Sequence, residues 1–204
     1  TAQKRKHTNG RTRMERIRVT PRHDWKKTAE EHGFDFHSLE GDPYWDESAY
    51  YKFTLEQIEE QLESAAESLE EMCFDIVDRV CASEEQMAKL AIPEQFWDYI
   101  VQSWRGQERN LYGRMDFAYD GKNPPKLYEY NADTPTSLYE TSIFQWVWLE
   151  QAMERAIIPK GCDQFNSMHE KLVAAFGKLG IDGKLAFACA RDSLEDKGTI
   201  EYLA

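Results

Sequence analysis

Apolar residues recur every three or four positions over a long stretch in the first half of the chain, between Thr54 and Val80. They are Leu55, Ile58, Leu62, Ala65, Leu69, Met72, Cys73, Ile76 and Val80. This period is that of an amphipathic helix, so we predict one long helix over residues 54–80. Thr54 and Gln57 mark its beginning, because this spacing is typical of a capping box, in which each side chain bonds to the other's free backbone N–H.

Shorter helices follow the long one. They are predicted at residues 83–90 and 93–104, from Thr136 or Ser137 to about residue 155, and from Asp163 to about residue 180. Ser137 and Glu140 have the spacing of a second capping box, and Asp163 is expected to cap its own helix.

The last part of the chain reads as a strand followed by a helix. Residues 184–190 (KLAFACA) have strand character, and Asp192 or Ser193 is placed to cap a final helix. A strand of such a unit needs a neighbouring strand, and no further one follows. We therefore expect the sequence to be truncated at its C-terminus.

Two alternating segments flank the turn-rich sequence DGKNPP and predict a β-hairpin with arms at residues 114–118 and 127–131. If the arms pair symmetrically about Lys122 and Asn123, alternation places one set of side chains on each face. The face predicted to join the core consists of Met115, Phe117, Tyr128 and Tyr130.

The opposite face of the hairpin is polar, with Asp116 across from Glu129 and Arg114 across from Asn131. Two carboxylates that face each other repel, unless a cation lies between them. Carboxylate and amide oxygens suit Mg²⁺ that also holds substrate phosphates, and Arg114 beside them can neutralise a transferring phosphoryl group. The other interpretation is a surface hairpin whose acids face water, with Arg114 in a salt bridge to one of them. The residues alone leave both open.

Three hydroxyl side chains, those of Thr134, Thr136 and Ser137, follow at the predicted start of the next helix. A helix start presents free backbone N–H groups and is a natural anion site. The alternative is that these hydroxyls cap the helix and do nothing else. Their adjacency to the proposed metal site and to Arg114 favours the functional interpretation.

Composition narrows the class of protein. The 204 residues are 41% hydrophobic and contain 11 Gly and 7 Pro, which excludes a disordered or collagen-like chain. No apolar run is long enough for a membrane span. Four cysteines without a CxxC pair indicate neither a disulfide framework nor a zinc site, and predict buried thiols in a reducing cytoplasm.

Charge is unevenly distributed. Residues 1–13 hold five basic groups and no acid, so without them the net charge falls from −12 to −17. A protein this acidic repels nucleic acids and attracts metal ions or amines. We interpret residues 1–13 as a basic, disordered leader or cloning remnant, with residues 14–204 as the folded part.

The segments RMDF, KLYEYNADTPTSLYE and FQWVWLE closely resemble the glutathionylspermidine synthase family. The flanking segments MERIRVTPRHDW, GDPYWDESAYYKFT, DQFNSMHEKL and RDSLEDKGTIEYL resemble its shorter members, which lack the amidase domain and are described as acid–amine ligases. The resemblance extends from Met14 to Ala204. It implies an α+β fold, with a helical N-terminal region and the hairpin and sheet of a pre-ATP-grasp and partial ATP-grasp-like synthetase.

The resemblance also implies roles for residues. Magnesium would be held by Asp116, Glu129 and Asn131, with Arg114 stabilising the transition state that forms an acyl phosphate. Thr134 and Thr136 would contact the acid, which is typically glutathione. Glu195 and Asp196 would hold the polyamine; this last transfer is weaker because the local sequence differs, and a solvated helix start explains the two acids equally well.

The implied activity is that of an ATP-dependent acid–amine ligase with Mg²⁺ as cofactor and ATP as co-substrate. The acid would be glutathione-like or peptide-like and the amine polyamine-like, with neither nucleic acid nor membrane as partner. Because the family continues into lobes that bind adenine, we expect residues 1–204 to be inactive alone. The alternative from another class is a non-catalytic acidic interaction module built on the long helix.

Overall fold

The computed structural model describes residues 14–39, 41–132 and 136–204. The strands are β1 (Glu15–Arg18), β2 (Ser38–Leu39), β3 (Asp42–Pro43), β4 (Ala49–Lys52), β5 (Arg114–Ala118) and β6 (Lys126–Asn131). The helices are α1 (Trp25–Glu31), α2 (Ser64–Cys81), α3 (Glu84–Lys89), α4 (Trp97–Arg105), α5 (Gln145–Glu154), α6 (Met168–Lys178) and α7 (Leu194–Leu203). Helices and small antiparallel sheets, which pair β1 with β4, β2 with β3 and β5 with β6, agree with the predicted α+β class. The predicted leader at residues 1–13 lies outside the described residues.

The long helix is present and its capping box is confirmed. The Thr54 N–H donates to Gln57 Oε1 at 2.9 Å, and the Gln57 N–H donates to Thr54 Oγ1 at 3.2 Å. The first turns, Gln57–Glu63, are wound as a π-helix that runs directly into α2. The Gln57 amide also donates to the carbonyl of Gly121 at 2.8 Å. The start of the helix is therefore tied to the turn of the hairpin.

Two of the expectations for the last third of the chain are wrong. Residues 184–190 form no strand within the described chain; the segment has no β-branched residue, and a strand without a neighbour leaves its backbone groups unpaired. Asp163 caps no helix of the described chain, because α6 begins five residues later and the Asp163 side chain accepts from the adjacent Gln164 N–H. The final helix is capped as expected: Ser193 Oγ accepts from the Asp196 N–H at 3.1 Å.

The main core is aromatic and lies between α1, the segment that follows it, and the start of α5. Its buried members are Ala29, Phe34, Phe36, Tyr139 and Phe144. Phe34 packs edge-on against Phe36, with ring centroids 4.7 Å apart, and Phe144 lies 4.8 Å from Phe34. A second, smaller cluster of Leu149, Ala152 and Ile158 continues from the other end of α5. Together they anchor α5, whose N-terminal side carries the candidate site.

An ion pair is buried beside this core. Arg22 and Glu47 have side chains 0% and 1% exposed and bond to each other through two guanidinium nitrogens. Arg22 also donates to Gln151 Oε1 at 2.7 Å, and Trp45 Nε1 donates to Glu47 at 3.1 Å. These contacts join the loop after β1, the segment before β4 and helix α5.

Helix α7 docks onto the aromatic core through a glycine. A Cβ atom built on Gly198 would lie 2.4 Å from Cε1 of the buried Phe36 ring, far inside van der Waals contact. Only glycine therefore permits this approach. Tyr202, one turn further, packs edge-on against Tyr139 with centroids 6.0 Å apart. The close approach sets the position of the first turn of α7, which carries Glu195.

Two remaining expectations concern membranes and cysteines. None of the helices among the described residues combines the length and apolarity needed to span a bilayer. The prediction of buried thiols holds for Cys81 and in part for Cys73, which is half-buried. It is wrong for Cys162 and Cys189, which are exposed. Both lie in segments without a regular helix or strand, where few side chains are available to cover them.

Candidate functional site

The hairpin has the predicted register at its functional end. Arg114 pairs with Asn131 and Asp116 with Glu129. The turn is held by Asp120, whose carboxylate accepts from the backbone N–H groups of Asn123 and Lys122 at 2.8 and 2.9 Å. These bonds lower the pKa of Asp120 to about 2. Local turn chemistry thus holds the two arms of the hairpin together.

Beyond Asp116 the register shifts, and one expectation fails. A bulge between Asp116 and Phe117 pairs Phe117 with Leu127, so that Tyr128 has no partner across the ladder. An extra residue on one strand disrupts the alternation locally. Tyr128 is consequently 80% exposed rather than part of the core. The other members of the predicted core face, Met115, Phe117 and Tyr130, are half-buried.

Arg114 is the centre of the site. Its Nε donates to Asp116 Oδ1 at 2.9 Å, while Nη1 donates to Thr136 Oγ1 at 2.9 Å and to Ser137 Oγ at 3.4 Å. The hydrogen bond to Asp116 raises the pKa of Arg114 against the opposing effect of burial, and the negative charge of Glu129 adds to the increase. The salt bridge between Arg114 and Asp116, which the surface-hairpin interpretation predicts, is therefore present. The bonds to the two hydroxyls are additional, and connect the proposed metal ligands to the proposed acid site.

The residues present fit a magnesium ion that shares its coordination with a substrate. The described residues contain no cluster of three or more His, Cys, Asp or Glu side chains able to hold a metal. The hairpin instead offers two facing carboxylates and Asn131, whose amide Nδ2 is buried without a hydrogen-bond partner in the described chain. Because rotation of the terminal amide by about half a turn exchanges its nitrogen and oxygen, the oxygen can occupy that buried position. Such a set suits Mg²⁺, which completes its shell with water and phosphate oxygens.

The second predicted capping box, between Ser137 and Glu140, is not formed. Ser137 has a φ of +69°, and its hydroxyl accepts from Arg114 instead of from the helix. Its backbone carbonyl still accepts from the Thr141 N–H at 3.1 Å, so a helix begins here, first as a π-helix over Glu140–Phe144 and then as α5. The side chain of Glu140 turns inward and accepts from the Tyr44 hydroxyl at 2.5 Å. Contact with other segments has thus replaced a local cap.

Helix α7 brings its first turn to the same site. Burial raises the pKa of Glu195, and the negative charges of Glu140 and Asp196 raise it further, whereas the positive charge of Arg114 opposes the increase. Glu195 therefore lies within the electrostatic reach of the hairpin arginine and of the start of α5. Asp196 sits beside it on the same turn. Thr134, the remaining predicted contact of the acid, lies outside the described residues.

Two residues of this cluster were missed by sequence reasoning. Glu140 matched a capping-box pattern with Ser137, so its sequence context offered no reason to expect it in the site. Tyr44 is 96 residues from Glu140 in the chain, and no capping, turn or periodic pattern involves it. The sequence signal for Tyr44 is its place in GDPYWDE, a segment rich in aromatic and acidic residues that belongs to one of the stretches resembling the family.

Known proteins that are similar to this chain include ligases and synthetases. A protein of Haemophilus influenzae named "Putative acid–amine ligase" is 41% identical over 180 residues, which cover 84% of this chain and 44% of that protein. Trypanothione synthetase of Crithidia fasciculata is 32% identical over 135 residues, 66% of this chain and 20% of that protein. The bifunctional glutathionylspermidine synthetase/amidase of Escherichia coli is 33% identical over 111 residues, 54% of this chain and 17% of that protein. The chain spans less than half the length of the curated relatives it matches.

The match to a family covers more of the chain than any of these pairwise similarities. It extends over residues 16–204, and so includes the hairpin, Glu140 and α7. The chain is therefore a member of the family described as glutathionylspermidine synthase pre-ATP-grasp.

Proposed function

We propose that the full-length protein is an ATP-dependent carbon–nitrogen ligase that joins a carboxylic acid to an amine. In this reaction the terminal phosphoryl group of ATP moves to a carboxylate oxygen of the acid, and ADP leaves. The amine then loses a proton and attacks the acyl carbon, so that a C–N bond forms, the C–O bond to phosphate breaks and inorganic phosphate leaves. The relatives are named as ligases and synthetases, which supports this class of reaction.

The observation that carries the proposal is the double engagement of Arg114. One side of its guanidinium binds Asp116, and another binds the hydroxyls of Thr136 and Ser137. A phosphoryl group passing from ATP to an acid needs positive charge between the two substrates. Arg114 lies between the residues assigned to each of them. Its side chain is 31% exposed, so a substrate oxygen can reach it.

Each remaining residue has a role in this proposal. Asp116, Glu129 and Asn131 hold Mg²⁺, which supplies charge neutralisation on the phosphates when bound. Thr136 and Ser137, with Thr134, donate hydrogen bonds to the acid, a glutathione-like or peptide-like molecule. Glu195 and Asp196 attract a cationic, polyamine-like amine toward the acyl group.

The metal assignment is tested by Asp116→Asn. Because a direct metal ligand is removed, we expect ATP-dependent amide formation to fall by about 100-fold or more. The free energy of unfolding should change by at most about 1 kcal/mol, because the lost ion pair with Arg114 is partly exposed. Coupled measurement of ADP release and urea-induced unfolding would give both values.

A matched control is Asp24→Asn, which makes the same chemical change in another arginine-bound carboxylate of similar exposure, 35% against 41%. It should retain activity. Equal activity of Asp116→Asn and Asp24→Asn would contradict the metal assignment, as would undiminished wild-type turnover in excess chelator.

A further inference from the structure

Glu140 is a buried carboxylate with one unused oxygen. Glu140 is only 7% exposed, and its Oε1 accepts from the Tyr44 hydroxyl at 2.5 Å. The other oxygen, Oε2, is buried and has no hydrogen-bond partner among the described residues. A buried carboxylate oxygen without a hydrogen-bond donor is strongly unfavourable. Such an atom indicates a place where a ligand supplies the missing donor.

The surroundings of Glu140 favour a cationic donor. Glu195 and Asp196 add negative charge, and the charge of Glu140 disfavours ionisation of Glu195 by raising its pKa. The positive charge of Arg114 acts on Glu195, but the Arg114 guanidinium already binds Asp116 and two hydroxyls. The side of the site next to α7 therefore carries more acid than base. A protonated amine would satisfy both the charge and the unused oxygen.

Tyr44 determines where that oxygen lies. Its ring packs against Phe34 and Phe36, with centroid distances of 6.4 and 6.1 Å, and both of these side chains are essentially fully buried. Burial, followed by the hydrogen bond to Glu140, raises the pKa of Tyr44, so the hydroxyl stays protonated and donates. The Tyr44 hydroxyl, placed by the contacts of its ring with Phe34 and Phe36, thus holds one oxygen of Glu140 and leaves the other without a donor.

We propose that Tyr44 is a positioning residue that holds Glu140 so that its free oxygen, together with Glu195, binds the protonated amine of the second substrate. This inference rests on the proposed ligase function, and it extends the amine site beyond α7 to the segment between β3 and β4. Specificity for a cationic amine would then depend on a tyrosine far away in the chain.

The test compares two tyrosine variants of the full-length protein. Tyr44→Phe removes the hydroxyl that orients Glu140 and keeps the ring. Tyr139→Phe is the control, because the Tyr139 ring also packs against Phe34 and Phe36 but its hydroxyl donates to the backbone carbonyl of His32 instead of to Glu140. Spermidine and putrescine serve as probes in calorimetric titrations at low and at high salt, and spermidine serves as substrate in steady-state kinetics.

We expect Tyr44→Phe to weaken spermidine binding about tenfold, equivalent to about 1.4 kcal/mol. The KM for spermidine should rise by a similar factor while the KM for ATP stays within about twofold. Tyr139→Phe should bind spermidine like the wild type. Glu140→Gln, which keeps the shape and removes the charge, should weaken binding at least as much as Tyr44→Phe and should reduce its dependence on salt.

Specific outcomes overturn the inference. They are unchanged amine affinity in Tyr44→Phe, an equal loss in Tyr44→Phe and Tyr139→Phe, or a wild-type protein that binds neither spermidine nor putrescine. A wild type that binds amines through Glu140 but does not turn over ATP would instead count against the proposed ligase. The two failures are therefore distinguishable.

Discussion

Two arginine–carboxylate pairs of this protein, Arg22–Glu47 and Arg114–Asp116, differ in how completely they are enclosed. The side chains of the first are 0% and 1% exposed, and those of the second are 31% and 41% exposed. Gln151 and Trp45 complete the bonding of the first pair. Around the second pair, Asn131 and Glu140 each keep a buried polar atom without a partner in the described chain.

The difference separates a structural pair from one available to ligands. A fully bonded, buried pair joins segments of the fold and has little capacity left for another molecule. A half-exposed pair beside unsatisfied donors and acceptors contributes little to stability, but it can exchange its partners when a substrate binds. We therefore assign Arg22–Glu47 to the architecture and Arg114–Asp116 to the site.

The largest expected effect comes from breaking each pair in the same way. Arg22→Met leaves Glu47 buried without its cation and should lower the free energy of unfolding by about 3–5 kcal/mol. Arg114→Met should lower it by at most about 1 kcal/mol, because water reaches Asp116. Urea-induced unfolding of both variants measures the contrast, and equal losses would refute the assignment.

A double variant controls for the volume of the Arg22 side chain. Arg22→Met combined with Glu47→Leu removes both charges, so much of the stability lost in Arg22→Met alone should return. No recovery would mean that packing around Arg22, rather than the unpaired carboxylate, explains the loss.

A smaller change in stability is expected at the contact between Gly198 and Phe36, which places α7 near the Arg114–Asp116 pair. Gly198→Ala places a methyl group 2.4 Å from the Phe36 ring and should destabilise the protein by about 1–3 kcal/mol. Gly177→Ala is the matched control, since a Cβ there meets nothing within 4 Å and a helical alanine is favoured over glycine by about 0.5–1 kcal/mol. Thermal unfolding should therefore shift in opposite directions, and a shift of the same sign would contradict the close approach.

The smallest effect concerns a third pair, Asp24–Arg155, which is about as exposed as Arg114–Asp116. Both carboxylate oxygens of Asp24 accept from Arg155, Oδ1 from Nη1 at 2.6 Å and Oδ2 from Nη2 at 3.0 Å. The hydrogen bond from Arg155 lowers the pKa of Asp24 from 3.8 to about 2. Because the folded-state pKa is depressed, the stabilisation is present above pH 4 and is lost as pH falls toward 2. The difference in melting temperature between wild type and Asp24→Asn should shrink across this interval, and a constant difference would contradict it.

Features that depend on neighbouring residues were predictable from the sequence. The Thr54–Gln57 capping box, the Ser193 cap and the pairing of Asp116 with Glu129 all formed as predicted. In the two caps the deciding interaction joins residues a few positions apart, and in the hairpin it joins two arms connected by one short turn, although the bulge after Asp116 also contributes to the final register. Such interactions are favourable wherever the segment lies in the fold, so a local pattern suffices to reveal them.

Features that depend on distant packing were decided only by the tertiary structure. Ser137 and Glu140 fit the capping-box pattern as well as Thr54 and Gln57 do. In the structure, however, the side chain of Ser137 bonds to Arg114 and that of Glu140 bonds to Tyr44. The bulge that exposes Tyr128, the approach of Gly198 to Phe36 and the unused oxygen of Glu140 have no local counterpart in the chain. A local cap contributes about 1 kcal/mol, whereas a buried charge and an aromatic core are worth several, so the larger, non-local terms determine these positions.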